Sequence, residues 1–175
     1  MRTPTHAPLE ALCACTWVTV PELLAARARA TPDALYLAKG EARWSFAETE
    51  ATARRFAGFL QARGYAGRRV ASLLPKSPYI VLAWFGSNML GGPFVALNHA
   101  QRGELLADLM VRSRAPVLVT DRASFALLSA EAQAAAELVV FIDEEARLTA
   151  GRKVREVMAV RGFDHTTMTY QVDYL

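Results

Sequence analysis

"SPYIVLAWFGSNMLGGPFVALNHAQ", Ser77 to Gln101, holds no Asp, Glu, Lys or Arg over its whole length. It is long enough to cross a bilayer, which takes ~20 mostly apolar residues. Its reading decides the class of the protein. Pro78 suits the first turn of a helix, and Tyr79–Leu90 supplies about three turns at 3.6 residues each. Gly91-Gly92-Pro93 is a poor continuation. Two glycines weaken a helix by ~2 kcal/mol, and proline by ~3 more. Phe94–Leu97 then reads as a short strand buried on both faces, as parallel strands are. A helix that packs largely inside, followed by a strand, explains the uncharged run without a membrane. A kinked membrane helix is the competing reading.

The flanking sequence favours a water-soluble α/β fold. "TVPE" at Thr19–Glu22 is a capping box, in which the threonine hydroxyl and the glutamate satisfy each other's orphan amides. The helix it starts carries Leu23, Leu24, Ala28 and Ala30, and Pro32 stops it. Leu35–Lys39 and Arg43-Trp44 flank a Lys39-Gly40-Glu41 turn and read as a hairpin. "SFAE" at Ser45–Glu48 is a second capping box. Its helix places Phe46, Ala53, Phe56, Ala57 and Leu60 on one face and ends at Gly64. "RRVASLLP" at Arg68–Pro75 is a buried strand. "PVLVTD" at Pro116–Asp121 and "LVVFID" at Leu138–Asp143 are two more.

Helical segments precede both of the last two. Gln101–Arg114 is expected to turn Leu105, Leu106, Leu109 and Met110 inward and Glu104, Asp108 and Arg112 outward. Ala123–Ala136 is the second. Strands alternating with helices predict parallel βαβ units. The fold class is therefore α/β: a mainly parallel sheet with helices on both faces, preceded by a helix and a small hairpin. The organisation expected is a tail over 1–16, an α/β lobe over 17–143 and a second tail over 144–175. Within that last tail, a helix is expected around Lys153–Val160.

Composition narrows the function classes. With 175 residues, one domain is the prior. The net charge of +3 comes from scattered arginines, with lysine only at Lys39, Lys76 and Lys153. No basic stripe interleaved with aromatics points to nucleic acid. Cys13 and Cys15 stand too close for a zinc knuckle and have no second pair, so they read as reduced thiols. Residues 1–16 make a poor signal peptide, because Pro4, His6, Pro8 and Glu10 interrupt any apolar core. The compartment expected is the cytoplasm.

The order of the pieces resembles the N-terminal part of the AMP-forming adenylating enzymes, which include acyl-CoA synthetases, peptide-synthetase adenylation domains and luciferases. "RATPDALYL" followed by "WSFAE", then "GRRVASLLPKSP", then "LGGPFVALN" with "RGELLADLMVRSRAPVLVTD" carry the resemblance, which runs from about Thr19 to Asp143. "LNHAQRGELL" is most similar to the fatty-acid and very-long-chain acyl-CoA synthetase branch. Ala96 departs from it, since many members have proline there. The resemblance implies activation of a carboxylate with MgATP through an acyl-adenylate, then transfer to a thiol such as CoA. It also implies a Ser/Thr/Gly-rich loop ending in Pro-Lys-Gly, because a polyphosphate needs backbone amides and a lysine around it.

That loop is not in the sequence. "FDHTTMTYQVDYL" at Phe163–Leu175 offers Asp164, Met168 and Tyr170 as an approach to it, but Gln171-Val172-Asp173 follows, with no glycine or lysine after. The family's remaining machinery, and most of its acyl pocket, is implied to lie on later residues. No catalytic, cofactor-binding or metal-binding residue carries over to this chain, and no ATP, magnesium or CoA site is expected within it. Local candidates are thin. No dinucleotide fingerprint, Walker loop or nucleophile elbow occurs. His6, His99 and His165 lack ligand spacing. His99, beside Asn98, falls at a strand end where α/β folds place ligands, but a turn histidine bonded locally is the plainer reading. Lys76, after "VASLLP", reads as a solvated charge.

The expectation is a truncated N-terminal portion of an acyl-CoA-synthetase-like ligase, fatty acid being the acid class, and inactive alone. The alternative is a non-catalytic module that pairs with a separate remainder or with itself. No nucleic-acid partner and no transmembrane segment are expected.

Overall fold

A computed structural model describes residues 19–40, 42–143 and 157–161. The expected helix on residues 153–160 falls partly outside them. Ser77 caps helix α3 (Pro78–Met89) by accepting the Tyr79 amide at 3.3 Å. Leu90 is its C-cap, and Gly91 turns with φ +71°. Chain direction then reverses into strand β4 (Phe94–Ala96). No helix among the described residues is long and apolar enough to cross a membrane.

Gly92 holds that corner shut. Its amide donates to the Ser87 carbonyl at 3.0 Å, and its carbonyl accepts from Ser87 Oγ and Asn88 Nδ2, each at 3.0 Å. The helix end thus finds partners for polar groups that would otherwise be orphaned.

Helix α1 spans Val20–Ala30 and helix α2 spans Phe46–Ala62; both expected capping boxes form. Strands β1 (Leu35–Lys39) and β2 (Ala42–Ser45) pair antiparallel as the expected hairpin. Strand β3 is Val70–Leu73, helix α4 is Gly103–Ser113, and strand β5 is Val117–Thr120. Two short helices follow, α5 (Arg122–Phe125) and α6 (Ala130–Ala134), and then strand β6 (Leu138–Asp143). Strand β7 is Val157–Arg161.

Strands β3 to β7 form one sheet, ordered β4-β3-β5-β6-β7 with every pairing parallel. Side chains alternate across it, because successive residues of a strand point to opposite faces. Val70, Val117, Val119, Leu138, Val140 and Ile142 face α2 and α3 through Phe56, Phe59, Leu60 and Leu82. Ala71, Leu73, Leu118, Val139 and Phe141 face the other way, toward Leu106 and Met110 of α4 and Leu128, Ala132 and Ala136 around α6. Helices therefore cover both faces, as the sequence led us to expect. On the first side α2 and α3 approach closely at Gly86, where a Cβ would lie 2.7 Å from the Ala53 carbonyl oxygen.

Four expectations are corrected. Strand β4 is an edge strand, and its three residues are half-buried or exposed rather than enclosed on both faces. On α4, Leu106 and Met110 are buried, but Leu105 is 53% exposed and Leu109 37%. The apolar stripe is wider than the surface this short sheet offers it. The expected helix Ala123–Ala136 is broken in two. Ser129 accepts the Ala132 amide at 3.3 Å, and Gln133 Nε2 donates to the Phe125 and Leu128 carbonyls at 3.2 and 3.1 Å. A serine that can cap competes with helix continuation. Finally, Val157–Arg161 is a strand and not the end of a helix. The free edge of β6 supplies a ladder from Val139↔Val157 to Asp143↔Arg161.

Candidate functional site

Counted in chain order, the sheet's strands lie as 2-1-3-4-5. From β3 the chain moves outward to β4, then returns past β3 and proceeds the opposite way through β5, β6 and β7. In such doubly wound sheets the crevice outside the strands' carboxyl ends, where direction reverses, is the usual ligand position. Here that point is the end of β3 and β5.

A cleft of about 570 Å³ opens there. Leu74 and Pro75 leave β3, Asp121 leaves β5, and Ile142 comes from β6. The β1–β2 hairpin closes the far side with Lys39, Gly40 and Trp44, and the start of α3 contributes Tyr79. The Trp44 and Tyr79 rings meet edge to face, with centroids 6.1 Å apart and planes at 77°. Such an arrangement is the favoured aromatic geometry.

Asp121 and its neighbour Thr120 are held by hydrogen bonds. Asp121 caps α5, Oδ1 accepting the Ser124 amide at 2.6 Å and Oδ2 the Ser124 hydroxyl at 3.1 Å. Thr120, fully buried beside it, donates from Oγ1 to the Leu73 carbonyl at 2.8 Å and so ties the ends of β3 and β5 together. Lys39 has no carboxylate partner among the described residues. Away from the cleft, burial pushes the Tyr36 phenol above its ordinary pKa.

The residues weighed from sequence lie elsewhere. Asn98 and His99 form a turn after β4. The Asn98 side chain accepts the Ala100 amide at 3.0 Å, and the His99 carbonyl accepts from Arg102. Lys76 is exposed and does not line the cleft. Cys13, Cys15, His6, His165, Asp164, Met168 and Tyr170 lie outside the described residues. Among those described, no three His, Cys, Asp or Glu side chains gather as metal ligands. Sequence reasoning missed Lys39, Trp44, Tyr79 and Asp121. The signal that could have found Asp121 was its place just after a parallel strand. Nothing local marked the hairpin residues.

The strand order and the crevice define a doubly wound α/β lobe. The chain belongs to the AMP-binding enzyme family, whose sequence model matches residues 24–169. Over 96 residues it is 36% identical to the medium/long-chain-fatty-acid–CoA ligase FadD6 of Mycobacterium tuberculosis, a match covering 54% of this chain and 16% of that protein. It is 28% identical over 134 residues to a probable non-canonical nonribosomal peptide synthetase, CymA, of Salinispora arenicola, covering 76% of this chain and 2% of that one. The chain thus spans under a fifth of the length of these relatives. Among solved structures, the anthranilate CoA ligase AuaEII in complex with anthranoyl-AMP superposes with a TM-score of 0.67 at 19% identity, over 75% of this chain and 26% of that one. Coronafacic acid ligase from Pectobacterium brasiliense gives 0.66 at 16%, over 71% and 26%. These likenesses establish the fold.

Proposed function

We propose that this chain is the N-terminal lobe of an AMP-forming acid–thiol ligase and performs no adenylation by itself. The family reaction would convert ATP, a carboxylic acid and CoA into acyl-CoA, AMP and diphosphate. A fatty acid is the acid class we favour, on the wording of "LNHAQRGELL" and the likeness to a fatty-acid–CoA ligase. MgATP and CoA would be the cofactors of the complete reaction. The described residues do not fit MgATP: no ligand cluster gathers among them, and Lys39 is the lone lysine at the crevice. No step of the chemistry is therefore assigned to a residue here.

The observation that carries the reading is the sequence itself. The alternating strands and helices of an α/β lobe are present, while no Ser/Thr/Gly-rich run ending in Pro-Lys-Gly occurs in the 175 residues. Backbone amides and a lysine around the phosphates are what hold the reacting group still. The purified chain is expected to give no ATP–pyrophosphate exchange above blank with a panel of fatty, aromatic and amino acids. Robust exchange with any of them overturns the proposal.

A second reading, a non-catalytic interaction lobe, is favoured by the apolar side chains left outside. Leu105, Leu109 and Val111 of α4 and Leu127 after α5 are all at least 37% exposed. Exposed apolar patches mark interaction surfaces. On this reading light scattering gives a mass that rises with concentration, and a hydrophobic dye binds. A clean monomer that leaves the dye dark removes it.

A further inference from the structure

On the side of the sheet that α4 covers, a groove of about 650 Å³ runs between α4 and the chain joining α5 to α6. Gly103, Ala107 and Val111 follow one another along its α4 wall at four-residue spacing, which stacks them on one helical face. Leu127 and Leu128 stand opposite. Leu128 is buried, but Val111 and Leu127 are 40% and 39% exposed. The groove thus leaves apolar side chains in water that its own helices do not cover.

Charge decides what can cover them. Glu104 and Asp108 of α4 and Glu131 of α6 line the same groove, and no basic side chain among the described residues does. Glu104 and Glu131 have no cationic partner among the described residues. Asp108 pairs with Arg112 at 3.4 Å, and both side chains are more than half exposed. Such a pair contributes little and is readily exchanged for another. The three carboxylates do not gather as metal ligands, so one ion does not neutralise them together. A fitting partner brings positive charge at several points and an apolar strip between them. An acidic surface meets like charge and is rejected.

Length selects a helix. From Gly103 to Val111 the wall rises about 12 Å, at ~1.5 Å per residue, which matches roughly two turns of a partner helix. Two turns present apolar anchors at i, i+3 or i+4, and i+7, the pattern by which an amphipathic helix lies in a groove. Gly103 and Ala107 carry little or no side chain and leave room for that approach.

We propose that this groove docks a basic amphipathic helix of a partner protein. Its apolar face lies on Val111, Leu127 and Leu128, and its lysines or arginines stand beside Glu104, Asp108 and Glu131. The proposal deepens the interaction-lobe reading and rests on it.

The test titrates the full 175-residue chain into a fluorescent peptide of ~14 residues, leucine along one helical face and lysine elsewhere. Anisotropy is expected to saturate, with an affinity that falls as salt is raised. The same pattern with glutamate for lysine is expected to bind at least about tenfold more weakly. Spermidine, which has the charge without the apolar face, is expected to displace the lysine peptide only at about tenfold higher concentration or above. Glu104→Lys with Glu131→Lys is expected to weaken the lysine peptide about tenfold, since an exposed ion pair is worth up to about fivefold, and to strengthen the glutamate peptide. Glu104→Gln with Glu131→Gln, which adds no positive charge, is expected to weaken the lysine peptide by a smaller factor. All of these side chains are exposed, so the fold is kept. No saturation, equal binding of the two peptides, or unaltered affinity in both double variants overturns the inference. A doubled mass in light scattering with no peptide bound assigns the groove to a second copy and also overturns it. Loss of peptide binding while the hydrophobic dye still binds removes this partner alone, whereas a dark dye removes the interaction lobe as well.

Discussion

Gly86→Val is expected to abolish cooperative folding, while Gly58→Ala, on a neighbouring helix, melts later than the parent. Both glycines are helical, and the physics of the two sites is opposite. A Cβ on Gly86 would stand 2.7 Å from the Ala53 carbonyl oxygen and 2.8 Å from Cδ1 of Phe56. The first obstacle is backbone, which cannot swing aside. The second belongs to a ring that is 1% exposed and stacked on Phe59 at 6.2 Å. Even Gly86→Ala has to push α2 and α3 apart, and overpacking of this kind costs about 1–3 kcal/mol. Valine adds two methyl groups where one already fails. Helix propensity favours both substitutions over glycine by at most about 1 kcal/mol, so sterics win at Gly86. At Gly58 nothing lies within 4 Å of an added Cβ, and propensity acts alone. Thermal unfolding followed by circular dichroism checks the pair. A cooperative Gly86→Val transition near the parent Tm would show that α2 and α3 do not meet as described.

The second large effect is expected at the corner that ends the uncharged run. A Cβ on Gly92 would approach the Arg68 carbonyl oxygen to 2.5 Å and Ser87 Oγ to 2.9 Å. Moving away breaks the bonds that Gly92 exchanges with Ser87 and Asn88, each 3.0 Å long. The Ser87 hydroxyl is 1% exposed, so water cannot replace its partner, and a buried polar group orphaned costs about 1–3 kcal/mol. Gly92→Ala is therefore expected to destabilise by about 3 kcal/mol, a fall in Tm of roughly 6–12 °C for a chain of this size. Gly91→Ala separates the causes. Gly91 has φ +71° but open space around it, so alanine pays only the left-handed backbone penalty, about 1–2 kcal/mol. Denaturant titration of both variants reads the difference. Equal losses would mean that backbone angle alone, and not close approach, shapes the corner.

The same two glycines show how much of the fold could be read from the chain. Gly91-Gly92-Pro93 announced a helix end from propensity alone. The two capping boxes located the starts of α1 and α2, because those signals depend only on residues three apart. Short apolar runs gave β3, β5 and β6, which are buried on both faces and so carry continuous apolar sequence. Strand β4 has the same kind of wording but lies at the edge. Its place in the sheet depends on strand order, which no local pattern encodes. Leu105 and Leu109 fail for a related reason. Helical spacing reports which residues share a face, not how much of that face finds a partner.

The candidate site was less legible still. Asp121 follows a strand, as ligand-handling residues of parallel sheets do, yet it is engaged as a helix cap. Lys39 and Trp44 lie some 30 residues or more from Leu74 and about 100 from Ile142 along the chain, and meet them only because the hairpin folds over the sheet's end.

By itself, then, the sequence settled the identity and order of most elements, their alternation, and the turn in the uncharged segment. Caps, breakers and hydrophobic period act over a few residues and leave their mark in neighbouring letters. Tertiary structure alone decided which strand is an edge, which glycine is crowded, and that a lysine, two aromatic rings and two strand ends surround one cleft. Those are distances between remote residues, fixed when the sheet assembles and the helices close upon it.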